Sequence, residues 1–277
     1  MTEPIRAEGK QFRAGDAPFT MHAVTYGTFR PRADGERFPD RNIVKQDFDA
    51  IAAAGFNTVR TYTLPPDDVI DLAADWGLRL LAGVFCEDWR YLVGASARQR
   101  RRMASAARAE VGEAARRLAG NEHVLGIVVG NELPADVVRW VGTKHAGDLI
   151  SGLACAVTEA DPERLKTYGN YPTTEFLEID ELDFLLFNVF LEDRDSFRRY
   201  LTKLLHLAGE RPLVIGEMGL DAGTAPAGEC RQAEVVDWQL EIAAERGLAG
   251  TALFSWTDEW WVGDAAVDDW HFGLTRA

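Results

Sequence analysis

The chain has 277 residues, 47% of them hydrophobic and 27% charged, with a formal net charge of −14. That length suits a single α/β barrel with a large core. The acidic balance argues against nucleic acid or an anionic membrane as partner, because phosphate recognition needs clustered Lys and Arg.

No run of about 18 apolar residues occurs, and the opening MTEPIRAEGKQF has no apolar h-region. A soluble chain without an export address is expected. Cys86, Cys155 and Cys230 lack CxxC spacing and leave an odd count, which disfavours a disulfide framework or a zinc site. Free thiols in a reducing, cytoplasmic compartment fit better. The span 1–277 reads as one domain, compatible with excision from a longer, membrane-associated protein.

In chain order, IRAEGKQFRAGDAPF reads as a β-hairpin around Gly9 and Gly15-Asp16 that plugs the N-terminal mouth of a barrel. Eight strands are then expected at 19–25, 56–62, 78–85, 124–130, 165–169, 183–190, 212–216 and 250–256. Several are apolar on consecutive residues, as strands buried on both faces should be. Helical stretches lie between them: 40–54, with Ile43, Phe48 and Ile51 on its apolar face, then 67–76, 96–119, 135–160, 195–208 and 228–246. The basic run 98–102 within the third reads as a solvated helix face. "Apolar helix, Gly, apolar strand" recurs as AAAGF, DWGLRLL and ERGLAGTALF. The fold class is α/β, a single (β/α)8 barrel whose eighth helix is short or missing. No Gly-rich phosphate loop follows the first strand, which disfavours a nucleotide-binding sheet.

In such barrels the site forms at the C-terminal ends of the strands. The polar residues there are Tyr26, Arg60, Tyr62, Glu87, Asp88, Trp89, Asn131, Glu132, Asn170, Tyr171, Asn188, Glu217, Trp256, Asp258 and Glu259. Glu132 and Glu217 close the apolar runs VLGIVVGNE and PLVIGE, 85 residues apart, where lost hydration must be offset. Two carboxylates facing one pocket can cleave a glycosidic bond with retention if they stand roughly 5 Å apart. The nucleophile wants a cation, for which Arg60 is the candidate. The acid wants a drier, like-charged setting, which Glu217 across the cleft supplies. Trp89, Trp256, Trp260 and Trp261 offer flat faces for sugar rings. Adjacent Trp260 and Trp261 cannot both face the same way. His22 is either a core histidine or a substrate contact. The acidic cluster from Asp258 to Asp269 lacks calcium-loop spacing, so neither metal nor cofactor is expected.

Asn131-Glu132, Glu217, Arg60 in GFNTVRTY and Trp256 in LFSW resemble the clan of retaining glycoside hydrolases with (β/α)8 barrels. The hairpin followed by PFTMHAVTYG is similar to the start of the barrel in the family 2 β-galactosidase and β-glucuronidase group and in family 5. The resemblance implies that Glu132 is the acid/base, Glu217 the nucleophile, and Asn131 the partner of the sugar 2-hydroxyl. A looser likeness to barrel domains joined to bacterial family 2 polysaccharide synthases implies a β-glucan substrate and a link to such a synthase. The pattern departs at Phe190, where clan members carry a Tyr whose hydroxyl touches the nucleophile. Either Tyr171 or Tyr26 supplies that hydroxyl, or the nucleophile has one donor fewer. The expectation is a retaining hydrolase acting on a β-linked oligosaccharide or polysaccharide. The alternatives are a transglycosylase using the same pair and a silent carbohydrate-binding barrel.

Overall fold

The computed structural model describes residues 3–84, 89–225, 227–263 and 265–275. Three short antiparallel strands come first: β1 (Ile5–Glu8), β2 (Gln11–Ala14) and β3 (Ala17–Phe19). Phe12 of β2 is fully buried and meets Phe184 edge-on, ring centroids 5.1 Å apart. Ile5, Met21, Leu125 and Val214 join this second apolar cluster at the bottom of the barrel. The expected plug is therefore present, with three strands rather than two.

Eight parallel strands close the barrel: β4 (Met21–Tyr26), β5 (Thr58–Thr61), β6 (Arg79–Gly83), β7 (Val124–Asn131), β8 (Leu165–Asn170), β9 (Leu185–Asn188), β10 (Leu213–Met218) and β11 (Gly250–Leu253). Each pairs with its sequence neighbour, and Gly250 opposite Met21 closes the ring. All eight expected strands exist, but the eighth stops at Leu253, short of Trp256.

The outer layer comprises α1 (Arg41–Ala53), α2 (Asp67–Asp75), α3 (Ala97–Leu118), α4 (Ala135–Val141), α5 (Thr143–Ala160), α6 (Arg194–Ala208) and α7 (Gly228–Glu245). The expected helix 135–160 breaks at Gly142, whose φ of 93° a side chain would resist. In α1 the buried stripe is Val44, Phe48 and Ile51, whereas Ile43 is 51% exposed. Val44 sits four residues before Phe48, the spacing that keeps two side chains on one helical face. Each such buried side chain contributes roughly 1.5–3 kcal/mol. A Ser96–Gln99 capping box starts α3, whose basic residues 98, 101 and 102 are exposed. Among the described residues no helix follows β11. Two short strands, β12 (Trp261–Val262) and β13 (Ala265–Ala266), come instead, and the chain then returns to β11's end through Ser255 N–H to Phe272 O at 3.2 Å. No described helix is long and apolar enough to cross a membrane.

Candidate active site

The strands that carry Glu132 and Glu217 are both irregular just before them. β7 pairs Val128 with Thr167 and then Asn131 with Gly169, so it takes up one extra residue against β8. β10 pairs Ile215 with Phe187 and then Glu217 with Asn188, the same slip against β9. Such bulges bend a strand and re-aim the next side chain.

Glu132 sits at φ 46°, a left-handed conformation worth on the order of 1–3 kcal/mol of strain in a non-glycine residue. Its surroundings hold it there. Glu132 N–H donates to Gly169 O (2.8 Å), Leu133 N–H to the Tyr168 hydroxyl (2.6 Å) and Ala135 N–H to the Tyr171 hydroxyl (3.1 Å).

Arg60, 1% exposed, stands behind the two glutamates. Its Nη1 donates to Gly216 O (2.6 Å) and Asn188 Oδ1 (3.0 Å) and lies 3.2 Å from Glu217 Oε1. Its Nη2 donates to Asn131 Oδ1 (2.7 Å). Space for this fork requires glycine at two positions. A Cβ on Gly216 would lie 2.7 Å from Arg60 Nη1, and one on Gly169 2.2 Å from Asn131 Oδ1.

Asn188 then ties the carboxylates together. Its Nδ2 lies 2.8 Å from Glu132 Oε1 and 2.8 Å from Glu217 Oε1. Two oxygens that share one nitrogen at 2.8 Å can be no more than twice that, 5.6 Å, apart. The Tyr62 hydroxyl also donates to Glu217 Oε1, at 2.8 Å. So neither Tyr171 nor Tyr26 supplies the hydroxyl; Tyr62 does. Arg60, Tyr62 and Asn188 all converge on Oε1.

Burial pushes the Glu217 carboxyl up to about 7. The Arg60 cation pulls against this, the Glu132 charge adds to it, and the bonds from Tyr62 and Asn188 again pull down. Depth is the physical cause: Glu217 is 6% exposed. Burial likewise holds the Tyr62 phenol well above its usual range, which keeps it a donor.

Above the pair opens a cleft of about 620 Å³. Glu132, Glu217, Asn131, Asn188, Tyr62 and Tyr171 line its floor and one side. Much of the remaining lining is aromatic. Trp260 meets Tyr62 and Phe254, each at 4.9 Å between ring centroids, and Phe254 meets Phe272 (5.3 Å), Phe190 (5.8 Å) and Trp270 (6.0 Å). Pro172, Leu191 and Asp221 complete the lining.

Among solved structures, the chain is similar to the β-glucuronidase from Ruminococcus gnavus. Its complex with uronic deoxynojirimycin matches with a TM-score of 0.82 at 17% identity, over 98% of this chain and 49% of that one. The complex with D-glucuronic acid gives 0.80 at 18%, over 98% and 49%, and the crystal structure of the same enzyme 0.82 at 18%, over 99% and 50%. The likeness is one of fold. This chain spans about half the length of those structures. No protein-family model matches it, and no curated protein does.

Within that fold, five expected site residues lie away from the cleft. Tyr26 is buried against Phe29 and Phe48 and donates to Asp47 of α1 at 2.6 Å. Trp256, 5% exposed, donates its Nε1 to the same carboxylate at 3.0 Å. β11 ends three residues before Trp256, so Phe254 takes the position expected for it. Asn170 is used by its own turn, accepting from the Thr174 hydroxyl (2.7 Å) and Tyr171 N–H (2.9 Å). Asp258 accepts from Gly273 N–H (2.7 Å) and lines a separate cavity of about 720 Å³ near the C-terminal segment. Trp89 packs beside Gly130, where a Cβ would lie 3.2 Å from its ring. Trp260 does face the cleft, while Trp261 points elsewhere, with the Arg30 guanidinium 5.5 Å from its ring. His22 is exposed at the N-terminal end of β4, so it is neither a core nor a cleft residue. Glu87 and Asp88, like Cys86, lie outside the described residues. Cys155 and Cys230 are free. Among the described residues no cluster of His, Cys, Asp and Glu is placed to hold a metal.

The sequence reading missed Phe254, Trp270, Phe272, Leu191, Pro172 and Asp221. The aromatic run WHF at 270–272 is the visible signal for two of them.

Proposed function

We propose that the chain is a retaining β-glycoside hydrolase acting on a β-glucan-type oligosaccharide or polysaccharide. The observation that carries this reading is the single Asn188 nitrogen shared by Glu132 and Glu217, which holds the two oxygens within 5.6 Å. Double displacement uses carboxyl groups about 5–5.5 Å apart, whereas inversion needs roughly 6.5–9.5 Å to admit a water.

Glu217, with the cation and two neutral donors on Oε1, takes the nucleophile's part. It bonds to the anomeric carbon as Glu132 gives its proton to the leaving oxygen, yielding a glycosyl ester and a free alcohol. Glu132, now a carboxylate, takes a proton from water as the water oxygen attacks the same carbon. The ester breaks, and Arg60, Tyr62 and Asn188 stabilise the charge returning to Glu217. Asn131, fixed by Arg60, is placed for the sugar 2-hydroxyl, and the aromatic wall offers faces for ring stacking.

Proton NMR of the first-formed product tests this. Digestion of β-1,2-, β-1,3-, β-1,4- and β-1,6-gluco-oligosaccharides is expected to release the β-anomer first from at least one of them. Initial release of the α-anomer, or no cleavage across the panel, would contradict the proposal.

A further inference from the structure

The cleft has an uneven chemistry that sorts sugars by charge. Among the described residues that line it, the charged groups are Glu132, Glu217 and Asp221, and none is Lys, Arg or His. Arg60, the nearby cation, is 1% exposed and committed to Gly216 O, Asn131, Asn188 and Glu217.

Carboxylates only accept hydrogen bonds, so the open side chains here call for a ligand rich in donors. A neutral glycosyl unit brings a hydroxyl at every free position. A uronic acid replaces its C6 hydroxyl with another acceptor and a negative charge. Burying that charge among acidic side chains with no cation in the lining, against apolar aromatic rings, adds repulsion from Asp221 and any ionised glutamate to lost hydration. Asp221 is the carboxylate not engaged with the catalytic pair. It follows β10, and its Oδ1 accepts from Gly223 N–H (2.7 Å), while Ala222 N–H holds the loop to His271 O (2.9 Å). No Lys or Arg among the described residues forms an ion pair with it.

We propose that the cleft selects neutral glycosyl units over uronic acids, and that Asp221 is a specificity-determining residue for this choice. The inference rests on the glycosidase reading of the same site. It separates this chain from the enzyme of similar fold, whose structure is solved with D-glucuronic acid.

Isothermal titration of the full chain carrying Glu217→Gln tests it without turnover. The probes are gluco-oligosaccharides of the four β-linkages and the corresponding β-linked oligomers of glucuronic acid, at about 0.15 M salt, where exposed charges are screened beyond roughly 8 Å. At least one neutral oligomer is expected to bind tenfold or more tighter than its uronic counterpart. Adding Asp221→Asn is expected to narrow that ratio at least threefold. Equal or tighter binding of the uronic oligomer, an unchanged ratio in the double variant, or no binding of either class would overturn the proposal. Equal binding would leave the double-displacement reading intact, because that reading stands or falls on the anomer released.

Discussion

The Tyr62 hydroxyl donates to Oε1 of Glu217 at 2.8 Å, so a side chain just past the second barrel strand steadies the carboxylate on the seventh. Phe190 stands where a strand-six tyrosine was expected, and it belongs to the aromatic wall instead. The donor is not missing; it arrives from the other side of the barrel.

Tyr62→Phe should therefore weaken catalysis without emptying the cleft. A hydrogen bond to a charged group is worth about 1.5–3 kcal/mol, which corresponds to a loss of roughly 10- to 100-fold in kcat/KM. Because that bond lowers the Glu217 pKa, its removal moves the acid limb of the kcat/KM profile to higher pH. A profile that falls in height with an unmoved limb would assign Tyr62 a packing role only.

The pH dependence of the wild-type chain follows from Glu217 itself. Nucleophilic attack needs the ionised carboxylate, and its pKa is near 7, so kcat/KM should rise as pH increases through about 7. Glu132 raises that value by its charge. With an aryl glycoside whose leaving group needs no protonation, Glu132→Gln should move the limb to lower pH. A limb near pH 4 in the wild type would contradict the assignment of Glu217 as the buried nucleophile.

The same shift bears on stability. A carboxyl whose folded pKa lies above its unfolded value favours the folded state when protonated. That contribution is complete below the unfolded pKa of about 4.5 and is lost as pH rises through about 7. Glu217→Gln removes this dependence. Relative to wild type, the variant should gain stability between pH 5 and pH 8, by on the order of 3 kcal/mol at most. Thermal unfolding at the two pH values measures it, and a constant difference would count against the shift.

Much of this was legible in the chain. Eight apolar runs buried on both faces announce strands, and Glu132 and Glu217 stand where two of them end. Arg60 was legible too, because a cation inside an apolar strand needs acidic or carbonyl partners. The bulges in β7 and β10 were not, since an extra residue leaves no mark on an already apolar run. A strand end misplaced by three residues was enough to exchange Trp256 for Phe254. Tyr26 and Trp256 looked like site residues because a polar tip at a strand end reads alike whether it meets a sugar or a helix. Here both meet Asp47 of α1.

That difference can be measured. Asp47→Ala leaves the Tyr26 hydroxyl and the Trp256 indole N–H without their partner, which should cost roughly 1–3 kcal/mol and several degrees of Tm. The variant's KM should stay within about twofold of wild type. A large rise in KM with unchanged Tm would return Tyr26 and Trp256 to the substrate site.

Covalent trapping tests the central claim most directly. A 2-deoxy-2-fluoro β-glycosyl fluoride of the sugar that the chain cleaves slows breakdown of the ester more than its formation. Peptide mass spectrometry of the inactivated protein should then find one fluoroglycosyl group on Glu217, with Glu132 unmodified. An adduct on Glu132, or continued turnover of that reagent with inversion and no adduct, would contradict the account.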